Sequence, residues 1–166
     1  VSSAASDVYK RQSLWSGEPE AVSQMRSMLK YSDLVKISEE ETELMTDEFD
    51  YEKAAEALLR QGVKIAVITL GKLGAYVRTS DGGQIVKGFR NKALDATGAG
   101  DAFWGGFLYQ FCRCGKLPDE VSVSEAASFA DFGNAVASVC VESYGAIPAM
   151  PTMEQVAEKM QEERQE

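Results

Sequence analysis

Apolar positions recur at helical spacing over residues 19–31, where Val22, Met25, Met28 and Leu29 share one face behind Pro19. The short run DLVKI at 33–37 reads as a buried strand. Ser38 then offers an N-cap, and Glu41 three residues on completes a capping box for a short helix. Asp50 caps a further helix at 51–61, whose apolar face carries Tyr51, Ala54, Ala55, Leu58 and Leu59; Gly62 closes it. Residues 63–70 (VKIAVITL) are dense in β-branched side chains and follow a helix, which predicts a central parallel strand. Residues 75–79 and 84–87 alternate around SDGG, a hairpin signal. A helix at 101–114 gathers Phe103, Phe107, Leu108 and Phe111. A second at 122–143 offers Phe129, Val136, Val139 and Cys140 for burial. ESYGAIPAMPT breaks it before a last helix at 153–164.

The alternation of helix and strand, followed by helices, predicts an α/β layer protein. Only three or four strands are visible, few for two such apolar helices. The chain is therefore expected to be the C-terminal part of a larger domain, with the first half absent.

Composition narrows the function classes. The 166 residues are 45% hydrophobic and 26% charged, as in a globular protein. Seventeen basic against 26 acidic residues give a net charge of −9. No Lys/Arg run offers a nucleic-acid footprint. A negative surface repels anionic substrates at long range, so a nucleotide site must build positive potential locally, from backbone N–H groups, a helix end or a metal. Cys112, Cys114 and Cys140 are too few and too oddly spaced for a disulfide framework, which fits a reducing, cytoplasmic location. With no histidine, His-containing zinc sites and His-based triads are excluded. No apolar run approaches the roughly 18 residues of a membrane span. The opening VSSAASDVYKRQ has no periodicity; residues 1–12 are expected to be translated adaptor or vector sequence, or else a disordered natural terminus, ahead of a domain at 13–166.

The strongest chemical signal is Gly98-Ala99-Gly100-Asp101 at the start of an apolar helix. Small residues let backbone approach a ligand, and first-turn N–H groups with the helix dipole attract anions. The same residues also suit a tight loop and close helix packing, a use that Gly105 and Gly106 support. Asp101 is either a helix-end acid, contributing about 0.3–1 kcal/mol, or a base for a substrate hydroxyl beside a bound phosphoryl group. Asp95 and Thr97 offer oxygen ligands to a hard cation, or ordinary turn hydrogen bonds. Among Glu39, Glu40, Glu41 and Glu43, one could reach magnesium through water. Thr69-Leu70-Gly71-Lys72-Leu73-Gly74 follows the central strand at its C-terminal end, where ligands of open α/β sheets collect. It is not a P-loop, since G-x-x-x-x-G-K-[ST] is absent. Nor does 98–100 fit a dinucleotide fingerprint, because the third glycine is missing. Asn134 sits among apolar residues as an N-cap remnant, a buried hydrogen-bonding group or a nucleotide contact, and Gly145 is read as part of a loop that closes over a base or an ion.

Taken in order, these segments resemble the ribokinase-like (PfkB) carbohydrate kinases, most of all bacterial fructokinases. DATGAGDAFWGGF at 95–107 is similar to the family's C-terminal signature. Lys36-Ile37-Ser38-Glu39-Glu40-Glu41 resembles its N-x-x-E segment, with Ser38 in place of Asn. Thr69–Gly74 resembles its T-x-G-x-x-G turn, and Ser13-Leu14-Trp15 with Arg11 resembles an R-x-x-L-W stretch. The resemblance implies a three-layer α/β/α ribokinase-like fold, here a C-terminal fragment lacking the N-terminal strands and lid. It implies ATP-dependent phosphorylation of a sugar hydroxyl, D-fructose to fructose 6-phosphate, with Asp101 as general base and Gly98, Ala99 and Gly100 as anion hole. It further implies nucleotide contacts at Thr69, Gly71, Gly74, Asn134 and Gly145, Mg2+ organised by Glu41, and K+ at Asp95 and Thr97. The partners implied are ATP and a small sugar, with a homodimer as a further possibility and neither nucleic acid nor membrane. A 2-keto-3-deoxygluconate kinase, a ribokinase-type activity and an inactive nucleotide-binding fragment stay open beside fructokinase.

Overall fold

The computed structural model describes residues 18–162. Residues 1–12, Arg11 and Ser13-Leu14-Trp15 lie outside the described residues.

The strands follow the pattern of β-branched runs. β1 (Leu34–Ser38) and β2 (Ile65–Thr69) are parallel, with Lys36 opposite Val67 and Ser38 opposite Thr69. β2 pairs antiparallel with β3 (Gly74–Thr79), and β3 forms the expected hairpin with β4 (Gly82–Lys87). The sheet order is β1-β2-β3-β4. Between β1 and β2 the chain forms α2 (Thr42–Thr46) and α3 (Tyr51–Arg60); α1 (Glu18–Met28) precedes them. α4 (Ala99–Cys114), α5 (Val123–Cys140) and α6 (Met153–Lys159) follow the hairpin.

Strand alternation divides the core. Val35, Ile37, Ala66, Ile68 and Tyr76 face α1–α3 and pack with Met25, Leu29, Ala54, Ala55 and Leu58. Leu34, Ile65, Val67, Ala75 and Val77 face the other way, against Phe103, Trp104, Phe107, Phe129 and Ala130 of α4 and α5. Both faces are covered, which gives the expected three layers.

The fragment expectation is corrected by this arrangement. The strands thought too few form one four-stranded sheet, and α4 and α5 bury much of their apolar surface against each other. A Cβ on Gly106 would lie 2.9 Å from Val136 Cγ2 and 3.1 Å from Gly133 Cα, and one on Gly133 would lie 2.8 Å from the Phe103 carbonyl oxygen. The two helices therefore close at backbone distance. Gly105 has open space around it and takes no part.

Boundaries shift for local reasons. Asp50 caps α3 as expected, accepting the Lys53 N–H at 3.0 Å. α4 starts at Ala99, two residues early, because Gly98 in the left-handed region serves as its N-cap. α5 ends at Cys140 and α6 at Lys159. No helix among the described residues is long and apolar enough to cross a membrane.

Candidate active site

The parallel strands β1 and β2 end side by side, so the segments after Ser38 and Thr69 leave the same edge of the sheet. Thr69, Gly71 and Gly74 border a cavity of about 260 Å³ there. Its other walls include Ala99 and Gly100 from the start of α4 and Asn134, Ala137 and Ser138 from α5. Predicted nucleotide contacts and two of the three predicted anion-hole residues thus share one cleft, close to the lower end of the size range of ligand pockets. Lys72, Phe89 and Asn91 also line it and carried no sequence signal.

Several of the predicted residues have a defined local geometry. Gly74 has φ +109°, and a Cβ there would collide with the Val86 carbonyl. Asn134 is buried and donates through Nδ2 to the carbonyls of Val86 at 3.1 Å and Lys87 at 3.4 Å, so it ties α5 to β4 while walling the cleft. Gly98 has φ +80°, and a Cβ would lie 2.6 Å from that of Ala146. The first α-helical bond of α4 runs from the Ala102 N–H to the Gly98 carbonyl at 2.8 Å. The N–H groups of Gly100 and Asp101 precede it, at the positive end of the helix. Asp101 is exposed on that first turn.

Asp95 braces the turn. Its carboxylate accepts the Thr97 N–H and the Gly145 N–H, each at 2.9 Å. Hydrogen bonds from Thr97, followed by the one from Gly145, hold Asp95 below the usual carboxylate range. Gly145, at φ +83°, does not line the cleft; it fastens the loop after α5 to Asp95. Glu41 accepts the Ser38 N–H at 2.8 Å, half of the anticipated capping box, which leaves its second oxygen for other partners. Among the described residues, no group of three or more acidic or Cys side chains is arranged to hold a metal ion. The hard oxygens of Glu41 and Asp95 suit magnesium or potassium individually.

Lys36 was passed over in sequence as part of a buried strand. The structure places it 6% exposed in β1, with Nζ 3.1 Å from where a Cβ on Gly100 would stand. The available signal was alternation: between Val35 and Ile37, Lys36 must point to the α4 side of the sheet.

Comparison with known proteins points to one family. The model of the pfkB family carbohydrate kinases matches residues 3–153. With nearly the whole chain matched, the expectation of a resemblance to a C-terminal portion only does not hold. Fructokinase-2 of Oryza sativa subsp. japonica is 34% identical over 142 residues, 84% of this chain and 41% of that protein. The structure of fructokinase from Vibrio cholerae O395 with fructose, ADP and calcium superposes with a TM-score of 0.79 at 30% identity, over 91% of this chain and 48% of that one. A double mutant of it with fructose, ADP and potassium gives the same values. The chain spans less than half the length of these relatives.

Proposed function

Because the chain belongs to the pfkB family of carbohydrate kinases, we propose that this edge of the sheet binds ATP and passes its terminal phosphoryl group to a sugar hydroxyl. The acceptor is D-fructose and the product fructose 6-phosphate. The observation that carries this reading is Asp101 standing exposed on the first turn of α4, directly after a glycine turn that borders the cleft.

The base and ribose of ATP lie in the cleft against Asn134 and the β2–β3 turn, with the phosphates running past Gly71 toward Gly98–Gly100. The N–H groups of Gly100 and Asp101 receive the transferring group. Asp101 takes the proton of the sugar hydroxyl as its oxygen bonds to the γ-phosphorus. The bond from phosphorus to the β,γ-bridging oxygen breaks, and ADP departs with that electron pair. Gly98, Ala99 and Gly100 stabilise the charge on the equatorial oxygens. Glu41 would hold magnesium through water, and Asp95 with Thr97 would hold potassium; such cations supply charge neutralisation for the phosphates. The names of the relatives support fructose over other sugars.

The test is ADP release with ATP, magnesium and potassium, offered fructose, ribose or 2-keto-3-deoxygluconate in parallel. Fructose is expected to give the highest kcat/KM. Asp101→Ala should lower kcat by at least about a hundredfold while ATP still binds. Turnover within a few-fold of the parent would remove Asp101 from the role of base, and a preference for another sugar would replace fructose.

A further inference from the structure

We propose that Lys159 is a positioning residue for the phosphoryl transfer, its ammonium latching the loop after α5 against the turn that leads to Asp101. The inference rests on the reading of that turn as the catalytic one; Lys159 acts on it through Glu142.

The placement begins with α6. Val156 packs with Phe89, Phe132 and Ala135, which docks this helix on α5 and on the segment after β4. Lys159 lies three residues on, over the same face, and is 5% exposed. Lysine is rarely buried to this degree unless it is paired. Its Nζ donates to Glu162 at 2.8 Å and to Glu142 at 3.1 Å, the latter seventeen residues back in the chain. Burial pulls the ammonium down, but the hydrogen bonds to Glu162 and Glu142 outweigh it and hold Lys159 above the usual lysine range. Glu162, three residues away and more than half exposed, pairs the charge locally. Glu142 carries it to another element.

Glu142 stands at the start of the loop after α5. The oxygen that accepts the Lys159 ammonium also accepts the Lys92 N–H at 3.4 Å. Beside it, the Val141 carbonyl accepts the Leu94 N–H at 2.8 Å and the Asp95 N–H at 3.2 Å. The Asp95 carboxylate in turn accepts the Gly145 N–H at 2.9 Å. The segments 92–95 and 141–145 thus form a hydrogen-bonded seam, and Lys159 ties its Glu142 end to α6. The next residue, Ala146, bears on Gly98, where a Cβ would come within 2.6 Å of its own. A shift of this loop therefore moves the wall against which the Gly98 turn is set, three residues before Asp101. A general base must stand within hydrogen-bond reach of its proton, and small misplacements cost rate. Thr69, Gly71 and Asn134 wall the cleft from outside this seam. The loss on releasing the latch therefore falls on turnover more than on ATP binding.

Hydrogen exchange at the Gly145 amide reads the latch without any substrate. Lys159→Met should speed it about tenfold, while the β2 amides keep the parent's protection and report an intact fold. Lys159→Arg, which keeps the charge and its donors, should stay within about twofold of the parent. Glu142→Gln should speed exchange in the same direction, and Glu162→Gln should leave it unchanged. These two variants carry the test if Lys159→Met loses protection in β2. In an ADP-release assay with fructose, Lys159→Met should lower kcat about tenfold with the KM for ATP within about twofold. Equal effects of Glu142→Gln and Glu162→Gln would make Lys159 an anchor of α6 alone and overturn the positioning role. Unchanged exchange at Gly145, or faster exchange with the parent's kcat, would overturn it as well. A parent chain that turns over none of the sugars overturns the reading of the site, and the positioning role with it, whatever the exchange rates.

Discussion

Gly98 is the residue on which the turn depends, for two separate physical reasons. Its φ of +80° lies where a side chain is strained, and any Cβ would press on Ala146 at 2.6 Å. The Ala146 loop is the one that Gly145 fastens to Asp95. Gly98→Ala should therefore cost about 2–4 kcal/mol of stability and weaken ATP binding as the loop shifts. Gly105, in the same helix, has no neighbour within 4 Å of a Cβ position and no positive φ. Gly105→Ala should stabilise the chain by about 0.5–1 kcal/mol through helix propensity alone. Urea unfolding of the two variants compares them; a similar loss in both would mean that glycine at 98 serves composition and not geometry. The sequence showed a run of small residues in both places. Their difference comes from Ala146, nearly fifty residues away, and no local pattern carries it.

Helices and strands were read well where their cause is local. The capping residue Asp50, the hairpin around Ser80–Gly83, and the apolar face of α3 each act within a few residues of themselves, and the structure keeps them. What sequence could not supply were the contacts between elements. Asp81 in the hairpin turn accepts the Val123 N–H at 3.1 Å and so helps start α5. Lys36 read as one polar residue in a short strand because its neighbour, Gly100, lies in α4. The N-terminus of α5 gives a prediction at this scale. Glu125 accepts the Lys116 ammonium at 2.6 Å, the Ser122 N–H at 2.9 Å and the Ser122 hydroxyl at 2.8 Å. Lys116 first, then Ser122, pull the Glu125 carboxyl down from 4.5 to about 2. The folded chain thus holds this proton less tightly than the unfolded chain. The stabilisation is present above the ordinary glutamate range and is lost as pH falls from about 4.5 toward 2. Glu125→Gln should lower the urea midpoint at pH 7 and converge with the parent near pH 2. A gap that persists at low pH would assign the loss to packing instead of to charge.

At the scale of the molecule, the cleft is a joint between layers. Its walls come from the end of β2, the turn into β3, the segment after β4, and both long helices. The two larger core clusters lie on opposite faces of the sheet. Asn134 is one tie across this joint, through the carbonyls of β4, and Asp95 with Gly145 is another. Sequence order alone brought Glu41, Gly71 and Asp101 into one family pattern, and the sheet explains the spacing, since parallel β1 and β2 deliver their C-terminal ends to one edge. A ligand that fills such a joint holds α4 and α5 to the sheet and binds only the folded chain. ATP at a hundred times its dissociation constant should add about 2.7 kcal/mol to the unfolding free energy, a rise in Tm of roughly 5–10 °C for a chain of this size. Differential scanning calorimetry at several ATP concentrations checks both the size and its logarithmic growth. Asp101→Ala should keep the full shift, because Asp101 faces the sugar hydroxyl in the proposed reaction and lies outside the cleft wall. Asn134→Ala should lose part of the shift and also lower the ligand-free Tm, because the same amide seals the cleft and joins α5 to β4. Equal shifts in all three chains would place the nucleotide elsewhere on the protein.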